Sequence, residues 1–181
     1  MQDDLFAATD EEEQIAEMQA HEEMRLAAAG LQRPIRDLPT LGPVAACPPS
    51  ATVRQAIGMM QQRRIGYVLI IEQGRLLGIF TERDVLTKVA SKDVDIDRVP
   101  VGDLMTPNPE CLGADDELVY ALNQMSVGGY RHIPLLDDQG RPTGVVAMRH
   151  IVDYLVSLFP QDVLNLPPAP PLGIPQAREG A

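Results

Sequence analysis

A hydroxyl and a carboxylate lie three residues apart where an apolar strand is expected to end. The run Gly78-Ile79-Phe80-Thr81-Glu82-Arg83-Asp84-Val85-Leu86 indicates a strand that turns at once into a helix. The first turn of a helix leaves backbone N–H groups unpaired, and these groups attract anions together with the helix dipole. Asp84 lies one turn further on and can accept two hydrogen bonds from a vicinal diol. Backbone donors, a hydroxyl and a diol-binding carboxylate together describe a nucleotide site.

The same spacing has a purely structural explanation. Thr81 followed three residues later by Asp84, ahead of the apolar Val85, Leu86 and Val89, is close to a capping box that merely starts a helix. Capping boxes occur in helices of every function. Taken alone, these residues therefore favour the cap over the nucleotide site.

Composition limits the possible partners. A length of 181 residues suits one domain or two small units that share a core, and the absence of Trp predicts an aliphatic core. The net charge is −11, of which residues 1–32 contribute −8 and the rest −3. Neither part has the basic surface that binding to a phosphate backbone needs, so we expect no nucleic-acid partner.

Cysteine usage and hydropathy indicate the cellular setting. Cys47 and Cys111 form no CxxC pair, so a reduced environment is the default. The acidic start contains no leader pattern, and no run of about 18 apolar residues occurs. We therefore expect a soluble, cytoplasmic protein without a signal peptide, a membrane span or a membrane partner.

From about Ile35 the chain repeats itself. Residues 53–60 carry four apolar side chains at helical spacing, and these recur 65 positions later. Residues 68–71 recur at the same offset as 133–136, and one extra residue in the following turn shifts the offset to 66. The Gly78 to Leu86 run then recurs as 144–152.

Each copy is predicted to form a helix, a strand, a turn, a second strand and a closing helix. The predicted elements are helices 53–63 and 118–127, strands 67–72 and 132–137, strands 76–80 and 142–147, and closing helices 82–91 and 148–158. Copies of roughly 55–60 residues bury too little surface to be stable alone. We therefore expect the two copies to pack sheet to sheet about a pseudo-two-fold axis, with related clefts between them.

The ends and the connection are predicted separately from the repeats. Residues 1–34 form an acidic helical extension, with a capping box at Thr9 and a stop at Gly30; it is either a solvated helix or a docking element. Residues 92–100 are a polar connection between repeat 1 (35–92) and repeat 2 (100–159). Pro160 stops the last helix, and the Pro-rich tail 160–181 is expected to be flexible.

The duplicated unit resembles a tandem pair of CBS (cystathionine beta-synthase) domains, known as a Bateman module. The G-apolar-x-T-x-x-D motif at Gly78 to Asp84 and the Asp103-Leu104-Met105-Thr106-Pro107 opening carry the resemblance, which covers about residues 35–159. It implies an α+β fold of two βαββα-type repeats, and commonly a disc-shaped homodimer. It also implies a regulatory sensor that binds adenine nucleotides or related adenosyl compounds in the clefts.

The resemblance also implies roles for particular residues. Asp84 would hold the ribose hydroxyls, Thr81 would bond phosphate, and the backbone around Ile79 would help to hold adenine. Arg131 and His132, at the start of a strand in the other repeat, would meet phosphate, since Arg offers a planar fork and His can gain charge. The alternatives are a surface charge for Arg131 and a hydrogen-bonded edge histidine for His132.

The second copy departs from the motif. Ala147 replaces the hydroxyl residue and His150 replaces the carboxylate, so neither can reproduce its counterpart's hydrogen bonds. His150 with Arg149 could instead meet an anion. We expect the second cleft to be empty or to bind something else, and hence one ligand per chain.

Motifs of catalysis were sought and not found. The sequence contains no phosphate loop, no dinucleotide fingerprint, no metal-ligand spacing and no nucleophile–base pair, so we expect neither an enzyme nor a metal site. The first hypothesis is a sensor that requires no cofactor, binds AMP, ADP, ATP or another adenosyl compound, and transmits occupancy to an unidentified target protein. The alternative is a structural dimerisation adaptor that uses its acidic helix and Pro-rich tail without a physiological nucleotide.

Overall fold

The computed structural model describes residues 28–39 and 44–158, together with Met18, His21 and Arg25. The predicted helix start at Thr9, the stop at Pro160 and the Pro-rich tail lie outside the described residues. So does most of the acidic extension.

Each repeat contains a short strand, a helix, a two-stranded hairpin and a closing helix. Repeat 1 is β1 (Ala46–Cys47), α1 (Val53–Arg63), β2 (Tyr67–Glu72), β3 (Arg75–Thr81) and α2, which is α-helical over Glu82–Asp84 and π-helical over Val85–Ala90. A short strand, β4 (Thr106–Pro107), follows the connection. Repeat 2 is β5 (Leu112–Gly113), α3 (Leu118–Gly128), β6 (His132–Leu136), β7 (Pro142–Ala147) and α4 (Met148–Leu158). Turns of 3-10 helix occupy Ile35–Asp37 and Val101–Asp103.

The strands form two sheets of related topology. The first has the order β1-β2-β3-β4 and the second the order β5-β6-β7. In each sheet the short first strand runs parallel to the strand that follows the helix, and the hairpin is antiparallel. β4 adds an antiparallel edge strand to β3 in the first sheet.

Side chains alternate between two apolar layers along the hairpins, as the pleat of a strand requires. Val68, Ile70 and Phe80 are buried beneath α1 and α2 in the core of the first structural unit, which is the unit built on the first sheet. Their neighbours Tyr67, Leu69 and Ile79 form a separate cluster with Val145 of the other sheet. The predicted α+β fold of two repeats packed sheet to sheet is therefore confirmed.

The pseudo-two-fold relation is visible in one pair of side chains. Tyr67 and His132 occupy equivalent positions at the start of β2 and β6. Their ring centroids lie 5.1 Å apart. Two equivalent residues can be in contact only where they lie next to the axis that relates them.

The opening segments of the two repeats are exchanged in space. Ile35 is fully buried in the core of the second unit, and its N–H donates to the Asp116 carbonyl at 2.9 Å. Val101 is fully buried in the core of the first unit, and its N–H donates to the Ala51 carbonyl at 2.7 Å. The predicted limits 35–92 and 100–159 therefore describe repeats of sequence, whereas each structural unit takes its opening segment from the other repeat.

The helix that contains Gly30 ends at Leu31, one residue beyond the predicted stop. Gly30 itself is buried against α4. A Cβ atom at this position would lie 2.8 Å from Cδ1 of Leu158. The glycine therefore allows two helices to approach closely instead of supplying a left-handed cap.

Candidate functional site

The junction of β3 and α2 is built by Thr81 and Asp84. Thr81 has extended backbone angles, and its N–H donates to Oδ2 of Asp84 at 2.8 Å. The Thr81 hydroxyl donates to the same oxygen at 2.7 Å, and the Asp84 N–H donates back to that hydroxyl at 3.4 Å. This is a complete capping box, so the structural explanation of the motif is confirmed.

The second carboxylate oxygen of Asp84 is also occupied. Oδ1 lies 2.7 Å from Nζ of Lys88 and accepts a hydrogen bond from the Thr106 hydroxyl at 3.1 Å. Asp84 is 5% exposed, and it is the one buried charged side chain among the residues that the structure describes. Burial raises the pKa of Asp84, but the Lys88 ammonium and the two Thr81 donors outweigh it, and the pKa is lowered overall. The carboxylate is therefore ionised at neutral pH.

Lys88 connects α2 to the start of the second repeat through hydrogen bonds. Its Nζ donates to the backbone carbonyls of Leu104 at 2.9 Å and Met105 at 3.2 Å, and to the Thr106 hydroxyl at 3.3 Å. The spacing of Lys88 four residues after Asp84 was visible in the sequence. Its carbonyl partners could not be predicted from the sequence, because they belong to a segment that contacts the first unit only through the exchange of opening segments.

A cleft of about 630 Å³ opens beside this junction. That volume is within the range of roughly 300–1,000 Å³ common for small-molecule sites. All five residues predicted for the first site line it: Ile79, Thr81, Asp84, Arg131 and His132. Eleven residues that were not predicted as site residues complete the lining: Gly66, Glu82, Arg83, Leu86, Thr87, Thr106, Asn108, Pro109, Glu110, Gly128 and Tyr130.

The apolar floor of the cleft comes from the sheet. Ile79 is 5% exposed and pairs with Leu69 on one side and with Thr106 on the other. Its backbone therefore lies within the four-stranded sheet, and its side chain belongs to the apolar layer between the sheets. The predicted adenine contact is thus placed beside a buried, regular strand.

Arg131 and His132, from the second repeat, also line the cleft and differ in their electrostatics. Arg131 is exposed, and its carbonyl accepts from the Met148 N–H at 2.9 Å. His132 is partly buried; burial first, and then the charges of His150 and Arg131, lower its pKa to about 4. At neutral pH His132 is an uncharged imidazole that can donate or accept a hydrogen bond but supplies no positive charge.

Gly66 allows Glu82 and His132 to lie close to the backbone that precedes β2. A Cβ atom there would lie 2.9 Å from Oε2 of Glu82 and 3.3 Å from Cε1 of His132. A larger residue would require one of these two side chains to shift. The sequence signal was a glycine directly before β2, which by itself predicts no more than a turn.

The residues predicted for a second site do not line this cleft. The Ala147 N–H donates to Nδ1 of His150 at 3.2 Å, which repeats the backbone half of the Thr81–Asp84 cap. Burial is the main cause that lowers the pKa of His150, and Arg149 lies 4.0 Å from Asp153 in an ion pair. His150 thus begins α4 as Asp84 begins α2, but with one acceptor atom where the carboxylate has two.

In the described part of the chain, no three His, Cys, Asp or Glu side chains are grouped as ligands for a metal ion. Within the same residues, no helix has both the length and the apolar character needed to cross a membrane.

Comparison with known proteins identifies the family to which both repeats belong. The family profile described as CBS domain matches residues 35–91 and 101–157. The chain belongs to the CBS domain family. An uncharacterised 17.7 kDa protein of Acidianus ambivalens is 31% identical over 111 residues, which are 61% of this chain and 66% of that protein. A CBS domain-containing protein of Arabidopsis thaliana is 30% identical over 115 residues, and the match covers 64% of this chain but only 21% of that protein.

Solved structures of CBS proteins share the fold. A CBS-domain containing protein from Agrobacterium tumefaciens superposes with a TM-score of 0.61 at 27% identity, over 66% of this chain and 97% of that one. A CBS domain protein from Pyrobaculum aerophilum, solved in complex with AMP, superposes with a TM-score of 0.58 at 23% identity, over 68% of this chain and 98% of that one. The tandem CBS arrangement predicted from the sequence is therefore confirmed.

Proposed function

We propose that this chain is a non-catalytic regulatory module that binds an adenosyl ligand in the cleft between its two CBS repeats. The observation that carries the proposal is the convergence of residues from both repeats on one cleft. Ile79, Thr81 and Asp84 come from the first repeat, and Arg131 and His132 from the second. The AMP complex of the Pyrobaculum aerophilum relative supports the ligand class.

The chemistry of the lining fits the parts of such a ligand. The chain around Ile79, which lines the cleft, would help to hold a purine ring, and the ionised Asp84 would accept from a ribose diol. The guanidinium groups of Arg83 and Arg131 line the cleft and can donate in pairs to phosphate oxygens. His132 would add a neutral donor, and an anion beside it would raise its pKa.

Regulation would follow from linkage. A ligand that contacts both repeats stabilises the arrangement in which both repeats line the cleft, by no more than its difference in affinity between arrangements. Coupling of this kind typically amounts to about 1–3 kcal/mol. At a ligand concentration about 100 times the dissociation constant, the bound fold gains roughly 2.7 kcal/mol against unfolding.

A thermal-shift screen tests the proposal. AMP, ADP, ATP, NAD, S-adenosylmethionine and cyclic dinucleotides are each added to wild type, to Asp84→Ala and to the control Asp138→Ala. Asp138 is an exposed carboxylate in the turn between β6 and β7. We expect at least one adenosyl ligand to raise the unfolding temperature of wild type and of the control, but not of Asp84→Ala. The proposal is wrong if no ligand produces a shift, or if Asp84→Ala shows the same shift.

A second candidate function is a dimerisation adaptor that acts without a nucleotide. Tyr120 is 58% exposed and Val127 is 82% exposed on α3, while Val152 is 48% exposed on α4. Exposed apolar side chains on these two helices favour contact with another protein surface, such as a second copy of the chain. Light scattering of wild type and Tyr120→Glu tests the homodimer. A pull-down that compares the full chain with residues 33–160 tests the target; a partner retained without the ends would contradict the adaptor.

A further inference from the structure

The Asp84 carboxylate has no unused acceptor direction. Its two oxygens offer about four lone-pair directions. Oδ2 accepts from the N–H and the hydroxyl of Thr81, and Oδ1 contacts the Lys88 ammonium and the Thr106 hydroxyl. A diol that arrives at Asp84 must therefore replace one of the donors already there.

The four donors differ in how easily they can leave. The two Thr81 bonds belong to the cap that begins α2. The Lys88 contact joins opposite charges at 2.7 Å, and such contacts are the stronger kind. The Thr106 hydroxyl is a neutral donor at 3.1 Å on an exposed residue, and it already has a second partner in the Lys88 ammonium at 3.3 Å. Thr106 is therefore the donor that is replaced at least cost.

Loss of this bond would weaken the attachment of β4. The strand has only two residues, and one of them is Pro107, which has no N–H to donate. Its other connections include the pairing of Thr106 with Ile79 and, just beyond the strand, the Asn108 N–H donating to the Leu77 carbonyl at 3.1 Å. The hydrogen bond from the Thr106 side chain to Asp84 is thus one of a small number of contacts that attach this edge strand.

We propose that Thr106 is the residue whose hydroxyl a ligand diol replaces on Asp84, so that occupancy of the cleft loosens β4 at the start of the second repeat. This inference rests on the proposed function, because it assigns the diol to the same carboxylate. Lys88 keeps its contacts with Asp84 and with the Leu104 and Met105 carbonyls, which confines the change to β4. Thr106 thereby determines the affinity for a diol. It also links occupancy of the cleft to the loosening of β4 at the start of the second repeat.

Calorimetric titration of matched proteins with matched ligands tests the affinity. Wild type, Thr106→Val and Thr106→Ser are titrated with AMP and with 2′,3′-dideoxyadenosine monophosphate, which lacks the diol. We expect Thr106→Val to bind AMP about tenfold more tightly, because no hydroxyl has to be displaced, and Thr106→Ser to behave as wild type. With the dideoxy compound the three proteins should bind equally.

Amide hydrogen exchange at Asn108 tests the route. AMP should accelerate this exchange in wild type, while in Thr106→Val the exchange should already be fast and AMP should not change it. Equal AMP affinities for wild type and Thr106→Val, or an Asn108 exchange rate in wild type that AMP leaves unchanged, would overturn the inference and leave the proposed function intact. Failure of AMP to bind any of the three proteins would overturn this inference, whereas the proposed function would be overturned only if every adenosyl ligand of the thermal-shift screen also failed.

Discussion

Removal of the Lys88 charge is the sharpest test of how the site is held together. Lys88→Met keeps most of the aliphatic stem but removes the ammonium that lies 2.7 Å from Oδ1 of Asp84. Loss of one partner of a buried ion pair destabilises a protein by about 3–5 kcal/mol. The Lys88 side chain is 32% exposed, so solvent screens part of the interaction, and we expect a loss of about 2 kcal/mol at pH 7.

The pH dependence of this loss identifies its cause. In wild type the pKa of Asp84 is lowered, so its contribution to stability is present above the unfolded pKa and disappears as the pH falls through the folded one. Without Lys88, burial is opposed by the Thr81 hydrogen bonds but no longer by the ammonium, so the folded pKa of Asp84 is higher in the variant than in wild type. The folded variant therefore binds a proton more readily than folded wild type, and its deficit against wild type shrinks as the pH is lowered towards 4.

Urea denaturation at pH 7 and at pH 4.5 measures both quantities. The control is Lys92→Met, which removes an exposed lysine just beyond α2. Each variant is compared with wild type at the same pH, so that other titrating groups cancel. A loss for Lys88→Met no larger than that for Lys92→Met, or a deficit that does not shrink in acid, would refute the reasoning.

Three further predictions follow from the described contacts. Gly78→Ala should destabilise the fold by about 1–3 kcal/mol in thermal denaturation, because its Cβ atom would lie 2.7 Å from the Thr106 carbonyl oxygen. The control Gly58→Ala, whose Cβ atom would have no neighbour within 4 Å, should be neutral or stabilising in the same assay. The wild-type free energy of unfolding should fall by up to roughly 3 kcal/mol as the pH drops from 6.5 towards 4. The folded pKa of His132 is about 4, so the unfolded chain binds a proton at this histidine before the folded protein does. His132→Gln should make the free energy of unfolding less dependent on pH in urea titrations. Calorimetry should give one adenosyl ligand per chain, since His150 presents a single ring nitrogen where Asp84 has a carboxylate; a stoichiometry of two would contradict this.

The repeat made the main elements predictable. The predicted helix at residues 53–63 coincides with Val53–Arg63, and the predicted strand at 67–72 coincides with Tyr67–Glu72. Apolar periodicity identifies such elements because each buries one face over several residues. Ala46–Cys47 and Thr106–Pro107 are strands of two residues, too short to show any period, and only their partners in the sheet make them strands.

The candidate site was only partly visible in the sequence. The motif and the resemblance named five residues that line one cleft. They did not reveal that Asp84 is saturated, because Thr106, 22 residues away in sequence, reaches it only through tertiary folding. They also suggested a charge for His132, whereas burial keeps this histidine neutral. Such properties depend on the low dielectric and the neighbours that tertiary structure supplies.

The exchange of opening segments has a consequence for the order in which the protein can fold during synthesis. Ile35 leaves the ribosome early, but its backbone and side-chain partners include Asp116 and Ile151, which are made much later. The first core in turn lacks Val101 until the connection between the repeats has been translated. Neither half can be completed by its own stretch of sequence. We therefore expect the duplicated chain to unfold as a single cooperative unit, and a single repeat to expose an apolar surface that a second copy could cover.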